Sequence, residues 1–407
     1  MKNSKSKAII ILYLIFFIVG IAQSAIDPLT PVISKEINVG FDIIGIILFV
    51  SFFFLVAGNF FSGRLSDHYD TKKIIIIGLL LIFAGLLVFG IYVTLILFIL
   101  TMIFARSGFG IIDSSIYAYV CQFFSKRRSI IFVRLNLLWY FGCVLGTLII
   151  SVLLFFNIKP MFLFIIVAAF FLIAALFFFK MAPSKDSQAS IEAITLKKKQ
   201  SFFQEIKFPV IILSSIILFF YAGAVFGLST WLTTYFISFN IKVFIGSAVL
   251  SGYWIFSIIG LLITNFLIKR FKEVHILVIG YLIGAISIAL VTFIPLIYIK
   301  IVFLMIQGLA LSCVFPLIKS IPIEENPDAS GTIIGFLLTI QGAGIMVSQL
   351  IIGIIAKNLG VGAIIYIIMS SLFIGLVLTI ILFTELKRKK ISIQNTSFPD
   401  ISIKKIK

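Results

Sequence analysis

Twelve long apolar stretches, each bounded by charge or by Pro/Gly clusters, run along the chain at 8–31, 42–62, 73–92, 95–122, 130–156, 160–181, 208–237, 243–267, 275–296, 298–321, 331–356 and 361–385. Each approaches or exceeds the roughly 20 residues that a helix needs to cross a hydrocarbon core. They are continuous, whereas the strands of a membrane barrel alternate over about ten residues, so the pattern predicts an all-α membrane protein. One polar interruption is long. It covers 182–207 and separates an N-terminal six-helix half, 1–181, from a C-terminal one, 208–385, which a basic tail at 386–407 follows.

Composition agrees with this reading. The 407 residues are 61% hydrophobic and only 12% charged, against about 25% charged in soluble domains. Twelve spans leave no room for a separate soluble domain, which excludes most soluble enzyme classes. The net charge of +18 would suggest a nucleic-acid partner in a soluble chain, but its distribution assigns it another role. If the spans alternate in direction, 27 of the 33 Lys and Arg fall on the side of the N-terminus, five on the other side, and Arg106 inside a span. That bias places both termini in the cytoplasm and needs no nucleic acid. Lys2, Lys5 and Lys7 before an apolar run ending at Ala22-Gln23-Ser24-Ala25 imitate a signal peptide. With eleven spans to follow, an uncleaved first helix is expected, in a multi-pass monomer of the cytoplasmic membrane. Cys121, Cys143 and Cys313 are far apart in apolar stretches and read as packing residues.

The two halves resemble each other. A shift of 202 residues lays Gly58 on Gly260, Gly78 on Gly280 and Gly142 on Gly344. Small residues are what close helix crossings in a membrane require. Two parallel six-helix repeats about an axis along the membrane normal imply a secondary transporter, with its site between them near the midplane.

Charge inside hydrocarbon costs at least roughly 2.5–3.5 kcal/mol at a span centre, so a buried ion is a functional candidate. Asp27 in the first span, Asp113 in the fourth, and Arg106 as the one deep cation meet this criterion. Arg106, Gly110, Asp113 and Tyr117 recur at spacings that share one helix face, as do Gly20, Gln23, Asp27 and Pro31. Each face turns an acid toward the expected cavity among the first, fourth, seventh and tenth spans. Either the acids serve substrate and protons, or they are structural ion pairs between helices. Asn136, Trp231 and Gln341 are added as candidates, because amides and an aromatic face together suit a polar ligand with apolar faces.

Gly63-Arg64-Leu65-Ser66-Asp67-His68-Tyr69-Asp70-Thr71-Lys72-Lys73, between the second and third spans, resembles the G-x-L-x-D-R-x-G-R-K loop of the major facilitator superfamily. Gly63, Leu65, Asp67 and Lys72 match; His68, Asp70 and Thr71 depart. The resemblance implies the major facilitator fold and a cytoplasmic latch in which Asp67 sits at a helix terminus or pairs with Arg127 or Arg128. Asp27-x-x-x-Pro31 and the run Gly108–Val120 resemble the fucose permease branch. There, a first-helix Asp and a fourth-helix carboxylate serve substrate binding and proton coupling. The resemblance implies proton-coupled transport of a small solute and favours a sugar-like class; Val225 and Tyr117 depart from the relatives' residues, so substrate identity does not transfer. Arg106-x-x-x-Gly110 and the many Phe residues keep drug or metabolite efflux as the alternative. Gly142-x-x-x-Gly146 resembles a fifth-helix exporter pattern, yet with Thr147 in place of Pro it reads first as close packing.

No G-x-x-x-x-G-K-[ST] loop is present, so ATP is not the expected energy source. The only histidines, His68 and His275, fall in loops, and neither a metal nor a cofactor is expected. A channel, a membrane enzyme and a receptor are the weaker rivals. Single cysteines placed beside Lys159 or Lys242 should react with an impermeant maleimide from outside intact cells only; reaction from the cytoplasm alone would overturn the orientation.

Overall fold

The computed structural model describes residues 2–91, 94–124, 128–180, 209–325 and 330–396. Twelve helical segments among them are long and apolar enough to cross a membrane. The first span is not one straight helix. It runs as α1 (Lys2–Ile26), a 3-10 turn (Asp27–Leu29) and α2 (Thr30–Glu36), so it extends past the apolar stretch that ends at 31. Pro28 and Pro31 sit at the starts of the two short pieces, where a missing N–H is tolerated. Thr30 Oγ1 donates to the Asp27 carbonyl at 2.9 Å and helps to satisfy the break.

Spans two to six follow as α3 (Phe41–His68), α4 (Thr71–Ile91), α5 (Leu95–Phe123), α6 (Arg128–Phe155) and α7 (Met161–Lys180). The second half holds α8 (Pro209–Ile237), α9 (Val243–Leu267) and α10 (Glu273–Phe293). Its tenth span is split into α11 (Ile297–Leu311) and α12 (Val314–Glu325), and α13 (Ser330–Asn358) and α14 (Ile364–Thr396) complete it. The split precedes Pro316, which has no N–H to donate to the carbonyl four residues back, at Ser312, and whose ring clashes with it. α14 continues eleven residues beyond the apolar stretch, carrying the first part of the basic tail as helix. The 182–207 linker lies outside the described residues.

The 202-residue repeat has a direct packing counterpart. A Cβ on Gly58 would meet α5 backbone at Ser107, and one on Gly260 would meet α11 backbone at Leu309. Gly78 faces Ile111 and Ile112 of α5, while Gly280 faces Ala310 and Cys313 at the matching bend. Gly142 presses on Phe17 of α1, and Gly344 on Phe219 of α8. Each shifted glycine therefore occupies the equivalent crossing in its own half. Gly146 likewise packs on α1, at Ile21 and Ser24, which fits the packing reading of Gly142-x-x-x-Gly146.

The halves meet through α3 with α13, α6 with α9, and the first span with α8. The polar contacts across this boundary lie at the end of the bundle away from the N-terminus. Asp42 pairs with Lys357 at 2.8 Å. Thr147 Oγ1 and Ser251 Oγ are 2.8 Å apart, and Ser247 Oγ and Ser151 Oγ donate to the carbonyls of Thr147 and Phe244 at 2.7 Å. At the opposite end, α5 and α12 make at most marginal contact among the described residues. The bundle is thus closed at one end and parted at the other.

Gly142→Leu and Gly344→Leu should each destabilise the purified protein by roughly 1–3 kcal/mol or more, because backbone occupies the space. Gly335, with nothing within 4 Å, supplies the control: Gly335→Ala should stay within about 0.5 kcal/mol. Equal thermal midpoints for all three variants would refute the crossing assignment.

Candidate central cavity

Between the halves lies a cavity with about 1120 Å³ of space free of atoms, part of it open to solvent. Its polar wall comes from both halves. Gln23, Asp27, Asn59, Arg106, Asp113, Tyr117 and Asn136 belong to the first, and Thr230 and Gln341 to the second. Aromatic rings supply the rest, chiefly Phe52, Trp139, Tyr140, Tyr221, Trp254 and Phe315.

Asp27 is held in place by the break in the first span. The turn directs its carboxylate across to α8, where Ser229 Oγ donates at 2.5 Å and Thr230 Oγ1 at 3.2 Å. These two hydrogen bonds join the halves, so Asp27 belongs both to the cavity and to the closed end. Arg106, four residues before Gly110 on α5, is buried with its guanidinium carbon 4.2 Å from the centroid of the Phe52 ring. Its Nε has no hydrogen-bond partner. Gly110 brings α5 against Leu55 of α3, which sets the depth at which Arg106 and Asp113 enter the cavity.

Asp113 accepts no hydrogen bond among the described residues. Its electrostatic partner is Lys319 of α12, whose ammonium lies 3.3 Å from the centroid of the Phe315 ring. The sequence counts Lys319 with the cations of the N-terminal side and Lys300 with those of the opposite side, at the two ends of the 298–321 span, and leaves Arg106 as the one deep cation; the structure adds that both lysines interact within the fold. Both lysines lie inside the tenth span. Lys300 is buried away from the cavity, donating to Tyr235 OH at 3.2 Å and to the Val291 carbonyl. The signal for Lys319 was weak because Pro316 and Pro322 mark that segment as a helix end.

The other candidates separate. Tyr117 OH donates to Asn136 Oδ1 at 3.4 Å, and Trp139 Nε1 donates to Gln23 Oε1 at 2.9 Å, all on the cavity wall. Gln341 is on the wall with Oε1 unpartnered. Trp231 is not. It is fully buried, donates to Gln349 Oε1 at 2.8 Å, and packs on Phe41. Its place on the wall is taken by Trp139 and Trp254, whose centroids are 5.6 Å apart. Of the latch residues, Gly63 and Asp67 lie in the last turns of α3. Lys72, at the start of α4, donates to the Phe179 carbonyl at the end of α7, within one half. Arg127 lies outside the described residues, and Arg128 opens α6. Cys143 and Cys313 are buried free thiols, as packing residues should be.

Among solved structures, a variant of the E. coli fucose:proton symporter FucP is similar at 17% identity and TM-score 0.66, covering 92% of this chain and 98% of that one. A bacterial homolog of the human lysosomal transporter Spinster, inward-facing and unoccupied, is similar at 14% identity and TM-score 0.71, with 94% and 96% covered. A variant of the nucleoside transporter NupG is similar at 15% identity and TM-score 0.70, with 92% and 99% covered. Among curated protein sequences, none matches.

Removing both donors to Asp27, by Ser229→Ala with Thr230→Val, should loosen the closed end. In a background without native cysteines, a cysteine at Val225 should then react about tenfold faster or more with impermeant maleimide added from that side, since hydrogen bonds to a charged group contribute about 1.5–3 kcal/mol each. An unchanged rate would remove Asp27 from the seal.

A sequence profile of the Major Facilitator Superfamily matches residues 12–348 and, in a second overlapping match, 238–401; with twelve membrane-crossing helices in the same fold, the chain belongs to that superfamily and is a secondary transporter.

Proposed function

We propose that the protein moves a small polar, sugar-like solute together with protons across the cytoplasmic membrane by alternating access. The reading rests above all on Asp27 and Asp113, two acids from different helices that share one cavity between the halves. Asp27 is the substrate-binding acid and Asp113 the proton carrier. In support, Asp113 accepts no hydrogen bond among the described residues that would fix it in one protonation state, and Lys319 stands near enough to alter its charge balance as the helices shift. Gln23, Asn136, Tyr117 and Gln341 supply hydrogen bonds, and the Trp139 and Trp254 faces suit the C–H surfaces of a sugar-like ring. Asp67, with Lys72 and the loop cations Arg127 and Arg128, is the gating element at the parted end. Both termini are cytoplasmic on this reading, and the protein works as a monomer.

Proton-driven efflux of an apolar metabolite is a second reading, favoured by the aromatic share of the wall. A ligand screen by thermal shift on the purified protein separates the two: sugar-like hits support uptake, hydrophobic cations support efflux.

In proteoliposomes, Asp113→Asn should abolish accumulation driven by a proton gradient yet retain counterflow exchange, whereas Asp27→Ala should weaken substrate binding by about tenfold or more. Gradient-driven accumulation by Asp113→Asn at the wild-type level would return Asp113 to a structural role.

A further inference from the structure

We propose that the cavity selects a small hydroxylated carboxylate and that Arg106 holds its acid group. This deepens the transport reading and rests on it for the cavity's role. The central observation is a mismatch. A guanidinium carries five N–H donors and no acceptor, and Arg106 is 4% exposed. Yet no described residue accepts a hydrogen bond from it or forms an ion pair with it, and its Nε is cut off from solvent without a partner. Asp27, the acid that it feels electrostatically, is already occupied by Ser229 and Thr230. A buried cation that lacks acceptors is costly unless something else completes it. The cavity is what it faces, and a carboxylate matches its fork in two parallel hydrogen bonds.

The rest of the wall specifies the remainder of the ligand. Asp113 stands seven residues further along α5, about 10 Å at 1.5 Å per residue. As a carboxylate it accepts only, so it asks for hydroxyl or amine donors some distance from the ligand's acid group. Gln341 Oε1 is a second acceptor without a donor, and Trp254 Nε1 is a donor without an acceptor. Trp139 and Trp254 add aromatic surface to the same wall. An anionic end, donors toward the other end and an apolar face together describe a polyhydroxylated monocarboxylate. A neutral sugar leaves Arg106 unmatched, and a hydrophobic cation meets it with like charge. A dianion would need a second cation on the wall, and among the lining residues Arg106 is the one cation.

Tryptophan fluorescence on the full chain in detergent tests this, because Trp139 and Trp254 line the cavity. The probes are gluconate, galactonate, glucuronate and galacturonate, each against its amide and its neutral parent sugar, with tetraphenylphosphonium as the cationic arm. At least one acid should bind about tenfold or more tightly than its amide. Arg106→Gln should erase that difference, and Arg106→Lys should keep part of it. The proposal fails if no acid binds, if the amides and neutral sugars bind as well as the acids, or if Arg106→Gln keeps the discrimination. Should that variant not fold, the wild-type comparison of acid with amide decides alone. Flux in proteoliposomes separates the two readings: acids that bind through Arg106 without crossing would sink transport and leave the anion site, while neutral sugars that cross with no acid bound would do the reverse.

Discussion

A charge within hydrocarbon must find either a partner or a water-filled space, and the interior of this protein is arranged around that requirement. Three charged side chains, Asp27, Arg106 and Asp113, answer it by lining the cavity between the two halves, and Lys319 of α12 answers it as the electrostatic partner of Asp113. Lys300 answers it differently. It bonds Tyr235 and the Val291 carbonyl in the last turn of α10, where helix carbonyls lack intrahelical donors. The contrast separates a cation that the fold has already satisfied from Arg106, which it leaves on the cavity wall without an acceptor. Only the second kind is chemically free to meet a ligand.

The seal between the halves is built from individually modest contacts. They include hydroxyl pairs such as Thr147 with Ser251, the pair of Lys357 with Asp42, and the close approach of Gly45 to Gly353. A neutral hydrogen bond contributes about 1 kcal/mol, because water offers a substitute when it breaks. The polar contacts of such a boundary can exchange with water when the halves part, whereas the helices inside each half are joined at glycine crossings that water cannot replace. Two rigid bodies and a soft polar boundary follow from the same sequence. Asp27 links them, since its carboxylate is at once a strand of the seal and part of the cavity wall.

Much of this was legible in the chain. Apolar run lengths revealed the spans, and the 202-residue spacing of Gly58, Gly78 and Gly142 with their partners marked true crossings, because close approach tolerates almost nothing else. Asp27 and Asp113 stood out because an acid in an apolar run needs either a partner or a cavity. Lys319 did not, because lysine near a proline at a span end is ordinarily read with the loop cations, and nothing in the sequence pairs it with Asp113. Trp231 failed in the opposite sense. Periodicity places an aromatic on a helix face without saying which neighbour the face meets, and here Gln349 and Phe41 claim it. Helix extension beyond Pro31 was hidden for a related reason, as prolines can open a new turn as readily as end an old one.

Lys319 also changes the electrostatic sum of the cavity. Two acids with Arg106 alone would make the site net negative and hostile to an anion. With Lys319 included, Asp27, Asp113, Arg106 and Lys319 sum to zero when all are ionised. A monocarboxylate entering this set brings one negative charge, and a proton arriving on Asp113 cancels it. The loaded cavity then has the same net charge as the empty one, so neither form carries an extra electrostatic penalty when the halves rearrange around it in low dielectric. Loading with the anion alone leaves a charge to be dragged through that rearrangement, and so does loading with the proton alone. On the proposed reading, coupling is therefore a consequence of charge balance in a confined space, and it requires no direct contact between the carried proton and the carried solute.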